Sequence, residues 1–140
     1  MNAKPIVDVA KKVIPYLKEL AQTYGEDLMQ KLKEGKINFE TMRDKLVNPQ
    51  LAKADVKVID IEYLTMDKLV QNIKENTVPD SDEVAAILRK GKKKNYLYTA
   101  FLKNGELLPV ESNKYLILVA DAVARDLESQ FDGNELIVLR

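Results

Sequence analysis

The dipeptide Asn104-Gly105 constrains the architecture more than any other two residues. It stands between the apolar, aromatic run Tyr96-Leu-Tyr-Thr-Ala-Phe-Leu102 and a second stretch from Leu107 to Glu111. A two-residue type I′ turn needs positive φ at both central positions, and Asn-Gly supplies it. An antiparallel hairpin is therefore expected, and a hairpin of this apolarity must bury a face. Downstream, Ser112 or Asn113 can cap a helix whose apolar face is Tyr115, Leu118, Val119, Ala122, Val123, Leu127 and Phe131. Asp132-Gly133-Asn134 would end it, and Glu135 to Leu139 would form a terminal strand. The succession strand, hairpin, strand, helix, strand predicts a small mixed sheet with helix on one face.

Upstream, Val56 to Leu64 is rich in β-branched residues and reads as a strand. Thr65 caps a helix through Met66, Leu69, Val70 and Ile73 that ends near Asn76, and Pro79 breaks the chain. Asp80 and Glu83 have capping-box spacing, which predicts a further helix through Val84, Ala85, Ile87 and Leu88 to a stop at Gly91.

Residues 5–34 read as helix, because Ile6, Ala10, Val13, Leu17, Leu20 and Tyr24 alternate at spacings of four and three, continued by Leu28 and Leu32. Pro15 should kink or divide it, and Gly25 weakens it. A straight helix of that length would span about 45 Å. A compact chain of this size is about 37 Å across. Either the helix folds back onto its own core, or it protrudes and docks on another chain. In the second case Ile6, Val13, Leu17, Leu20, Tyr24 and Leu28 are the protein interface. Asn38 caps a short helix from Phe39 to Val47. The expected class is α+β: N-terminal amphipathic helices, then a small mixed β-sheet with a C-terminal hairpin–helix–strand unit. A composition shift near residue 50 divides a helical subdomain, 1–50, from an α+β module, 51–140, within one compact domain.

The chemistry is bounded by what is missing. The 140 residues contain no histidine and no cysteine. Ser-His-Asp and Cys-His catalysis, thiolate or imidazole zinc sites, iron–sulfur clusters and disulfides are excluded. A metal would need carboxylate and carbonyl oxygens. No phosphate-binding glycine loop and no GxSxG elbow occurs. Asp55-Val-Lys57 matches a fragment used by nucleases, without an upstream proline–aspartate pair. Asp60 and Glu62 would share a strand face, and could serve a Mg²⁺-dependent hydrolase or simply be the wet side of a strand. The longest apolar run, Tyr115 to Ala120, is too short to span a bilayer, and the N-terminus lacks the build of a signal peptide. A cytoplasmic protein, or a virion component, is expected. Lysine supplies 18 of the 22 basic residues, a bias compatible with a bacterial or phage source.

Two charged clusters remain. Arg89, Lys90, Lys92, Lys93 and Lys94 precede Tyr96 and Tyr98, and no acid occurs between Val84 and Lys103. Cations beside stacking aromatics are the ingredients of a single-stranded nucleic-acid site. A solvated helix-to-strand connection is the plainer account. Formal charge balances at 22 against 22, which gives nucleic-acid binding no general support. Asp121, Glu128 and Asp132 fall on one helical face with Arg125 between them, as an exposed face with an Asp121–Arg125 pair or as a carboxylate metal set. The function expected from this balance is a non-enzymatic interaction or assembly module: a structural subunit, adaptor or inhibitor working through a protein partner or self-association, without a cofactor. An exposed final strand would be a ready pairing surface. The alternative is a nucleic-acid-binding accessory protein that uses the Arg89–Lys94 cluster.

Overall fold

The computed structural model of the chain describes residues 3–4, 8–25, 29, 55–109, 112–133 and 136–139. Their elements are β1 (Ala3–Lys4), α1 (Asp8–Thr23), β2 (Asp55–Leu64), α2 (Met66–Glu75), β3 (Glu83–Lys90), β4 (Asn95–Lys103), β5 (Glu106–Leu107), β6 (Lys114–Val123), α3 (Arg125–Phe131) and β7 (Leu136–Leu139). The strands form one mixed sheet in the order β1-β7-β3-β4-β6-β2, with the short β5 beside β4. All pairings are antiparallel except β2 with β6. The chain has the α+β fold that its sequence implies.

Successive strand residues point to opposite faces, and both faces are covered. Ala85, Ile87, Tyr96, Tyr98, Tyr115, Ile117, Val119 and Val138 pack with Val13, Leu17, Leu20 and Tyr24 of α1. The alternate set, Val84, Ala86, Leu97, Phe101, Leu118, Ala120, Ile137 and Leu139, packs with Leu69 and Ile73 of α2 and Leu127 and Phe131 of α3. The helix layer is thus on two faces rather than the expected one.

This double burial explains two misread segments. Residues 80–91, expected as a helix, contain β3, and its first five residues are all buried. The helix expected from Asn113 to Phe131 is β6 followed by the separate, short α3. A strand covered on both faces is apolar at every position, so the period-two signal disappears and a helical template fits equally well. The Asp80–Glu83 spacing is not a helix cap. Glu83 opens β3 and is buried, while Asp82 accepts from the Asn104 amide at 3.2 Å.

Local signals held where they were sharp. Asn104 and Gly105 have φ of 52° and 78°, as a type I′ turn requires. The return strand is only β5, however, and β6 is the main neighbour of β4 on that side. Thr65 caps α2 by accepting from the Lys68 amide. Asp132, in the left-handed conformation, ends α3, and Gly133 follows with φ of 76°. Helix α1 runs unbroken through Pro15 and ends before Gly25. The helix expected at 39–47 lies outside the described residues. Among the described residues no helix is long and apolar enough to cross a membrane.

Two buried polar side chains extend the β4–β6 pairing past its backbone ladder. Thr99 Oγ1 donates to the Leu116 carbonyl at 3.1 Å and accepts from the Leu116 amide at 3.2 Å. Asn113 Oδ1 accepts from the amides of Phe101 and Lys114, and its Nδ2 donates to the carbonyls of Phe101 and Leu108. Asn113 therefore bridges strands and does not cap a helix. No described buried side-chain nitrogen or oxygen lacks a partner.

Candidate functional site

The basic cluster crowns a hairpin rather than joining a helix to a strand. Arg89 and Lys90 end β3, and the loop from Gly91 to Lys94 closes with the Gly91 amide donating to the Lys94 carbonyl at 2.8 Å. The strands leading into it are buried, and Arg89 to Lys93 are exposed because the loop leaves the core.

Acids meet this cluster from two elements. Lys94 is ion-paired to Asp121 at the end of β6, and that hydrogen bond is the main reason its ammonium is held above the usual lysine value. Asp60 of β2 adds to the same field. On the other side, Lys90 Nζ lies 2.9 Å from Glu128 Oε1 of α3. Asp121 and Glu128, expected on one helix face with Arg125, are in different elements because β6 is a strand. Asp132 ends α3. The two charged clusters of the sequence thus meet in space through two ion pairs, Lys94–Asp121 and Lys90–Glu128.

Tyr96 and Tyr98 face α1 and are 4% and 2% exposed. Their rings stack on each other at a centroid distance of 6.4 Å, and the Tyr98 hydroxyl donates to the Tyr24 carbonyl at 2.7 Å. As placed, they offer no ring face to a base. Val13, Leu17, Leu20 and Tyr24 are likewise buried on the chain's own sheet, while Ile6 and Leu28 lie outside the described residues.

The tyrosine hydroxyls under α1 are structural. Tyr16 and Tyr115 share a hydrogen bond of 2.7 Å. Burial, ahead of every other cause, pushes both phenols above their ordinary value of 10.0. The consequence for stability has a definite sign. Both phenols stay protonated in the fold, while the unfolded chain releases their protons near pH 10. Stability is therefore unaffected by these groups below about pH 10 and falls as pH rises beyond it. Urea midpoints measured across that range should decline in the native protein and decline less in Tyr115→Phe. Equal declines would dismiss Tyr115 as the source.

The outer strand of the sheet is β2. The final strand, β7, lies between β3 and β1 and is not the edge. Strand β2 pairs with β6 along its length, and among the described residues no strand pairs with its other side. Val56 and Val58 lean on the α1-side core, and Ile59 and Ile61 on the opposite one. Asp55, Lys57, Asp60 and Glu62 are exposed between them. Lys57 donates to Asn76 Oδ1 at 3.1 Å, and Lys68 donates to the Tyr63 carbonyl at 2.8 Å. Tyr63 is the one large apolar side chain exposed among the described residues, at 49%. Among those residues no group of three or more acids is arranged to hold a metal ion. Sequence reasoning missed β2 as the edge because strand order is not a local property.

Comparison with protein-family models, with curated proteins and with solved structures found no match.

Proposed function

We propose that the chain is a non-enzymatic protein-interaction or assembly module, a structural subunit, adaptor or inhibitor, whose docking element is the outer edge of β2. One observation carries this reading. Ten consecutive residues of extended backbone form the last strand of the sheet, with no strand on their outer side among the described residues. Such an edge is a row of backbone donors and acceptors ready to accept a partner's strand. The half-buried valines and isoleucines and exposed Tyr63 would give that partner apolar contact. The proposed setting is the cytoplasm, in keeping with a sequence free of cysteine. Nucleic-acid binding through Arg89 to Lys94 is the weaker reading, since Lys90 and Lys94 already hold acids and Tyr96 and Tyr98 are buried.

The test combines light scattering with amide exchange. In a parallel pair, alternate residues of β2 direct their amides to β6 and the rest point outward. The free protein should protect only the inward set from exchange. As mass rises with concentration or added partner, the outward amides should become protected too. Growth in mass with the outward amides still exchanging would place the interface elsewhere and defeat this reading.

A further inference from the structure

The charges along β2 are not spread evenly over its two faces. Alternation is regular from Asp55 to Ile61. Beyond it Glu62 and Tyr63 are both exposed, and Leu64 joins the α2-side core. Within the regular stretch Val56, Val58 and Asp60 share the α1 side, and Asp55, Lys57, Ile59 and Ile61 share the α2 side. The bond from Lys57 to Asn76, the C-cap of α2, agrees with that placement. Lys57 and Asp60 are therefore on opposite faces.

That division works against a second copy. Two chains can join edge to edge into one antiparallel sheet about a two-fold axis normal to it. Such an axis leaves each face on its own side, so opposed residues must belong to the same face. Three registers then overlap by five or more residues of the regular stretch. With Val58 opposite itself, Val56 faces Asp60, Lys57 faces Ile59 and Asp55 faces Ile61. Centred on Lys57, the two ammonium groups oppose each other. Centred on Ile59, Lys57 faces Ile61 and Asp60 faces Val58. None of the three sets opposite charges against each other, and like charges directly opposed are destabilising.

We propose, building on the reading of β2 as the docking edge, that it takes an antiparallel strand of a different protein with a fixed charge order. Opposite Ile61 down to Asp55 that strand runs apolar, cation, apolar, apolar, acid, apolar, cation. Its cations meet Asp60 and Asp55, its acid meets Lys57, and its apolar residues meet Val56, Val58, Ile59 and Ile61. Opposite-charge and apolar pairs directly across an antiparallel ladder both stabilise it. Backbone hydrogen bonds add affinity, and the alternate side chains add specificity. The antiparallel sense is the stronger per residue. Asp60 already lies in the field of Lys94, so discrimination is read at Lys57.

The probe is the end-blocked peptide Ile-Lys-Val-Val-Glu-Val-Lys, titrated into the whole protein at low salt while the β2 amides are followed by chemical shift and exchange. The outward amides of residues 55–61 should shift, saturate and gain protection. The charge-reversed peptide Ile-Glu-Val-Val-Lys-Val-Glu should bind about tenfold more weakly or worse. Lys57→Glu, an exposed change, should invert one preference. In that variant the first peptide should bind about threefold to tenfold more weakly than its derivative with lysine in place of glutamate. Equal affinity for the matched and reversed peptides would overturn the charge order and leave β2 standing as a docking edge. Outward amides protected by the protein's own concentration, with no peptide present, would overturn the exclusion of a second copy and leave the edge standing too. Failure of both peptides to reach these amides by about 10 mM would also overturn the proposal. The combined scattering and exchange measurement then judges the edge by itself.

Discussion

Leu17→Ala will lower the unfolding free energy by about 2–5 kcal/mol, the cost of deleting a fully buried leucine side chain from a packed core. Leu17 is 0% exposed and sits among Val13, Leu20, Tyr98 and Tyr115 between α1 and the sheet. A small domain has only about 5–15 kcal/mol in total, so the variant should be visibly fragile. Urea denaturation followed by circular dichroism gives the measurement. Gln22→Ala, on the exposed side of the same helix, should move stability by no more than about 0.5 kcal/mol. A Leu17→Ala midpoint as close to native as that of Gln22→Ala would mean that α1 is not the cover of this face. By the same logic, truncating residues 1–34 strips the sheet of its cover. The truncated chain should unfold or aggregate, and loss of a partner from it would report on folding and not on docking.

Asn113→Ala comes next in size. The Asn113 side chain is 4% exposed and serves four backbone groups: the Phe101 and Lys114 amides at 2.9 and 2.8 Å, and the Phe101 and Leu108 carbonyls at 3.0 and 3.3 Å. Alanine leaves the Phe101 amide unsatisfied inside the sheet, while the Phe101 carbonyl keeps the Leu108 amide at 3.3 Å. An orphaned buried group costs about 1–3 kcal/mol, and a loss of about that size is expected. Asn113→Asp should not rescue it, because a carboxylate keeps the acceptors and loses the donors that face two carbonyls. Full stability in Asn113→Asp would refute the bridging role. Amide exchange at Phe101 gives a second readout: its protection should fall in Asn113→Ala and be kept better in Asn113→Asp, whose carboxylate still accepts from that amide.

Much of the architecture was legible where the signal was local. The φ requirement of a type I′ turn is met by two adjacent residues, so Asn104-Gly105 announced its hairpin. Thr65 needs only the amide three residues on, so α2 was readable. The seam on α1 was also readable, but not the surface beneath it. Strands β3 and β6 were lost for the opposite reason. Their faces are both buried, and Val84-Ala-Ala-Ile-Leu88 carries no alternation to distinguish strand from helix. The candidate sites depend on distant partners. Nothing in the run from Arg89 to Lys94 says that Glu128 and Asp121 will stand beside it, or that β7 will start opposite Ile87. The open side of β2 follows from strand order, which is a property of the whole sheet.

That open strand also has a place in time. The β3–β4 hairpin joins residues close in sequence, and its closure is fast. Strand β2 instead meets β6 across about sixty residues of chain, from Asp55 at Lys114 to Leu64 at Val123. Long-range parallel pairing must bear its loop-closure entropy before it gains contacts, so β2 is expected to join after the β3–β4–β6 meander exists. The edge of β2 then becomes a rigid template only on a chain that has finished folding. A partner recognising it would thereby select completed molecules, and partly folded ones would pass unbound.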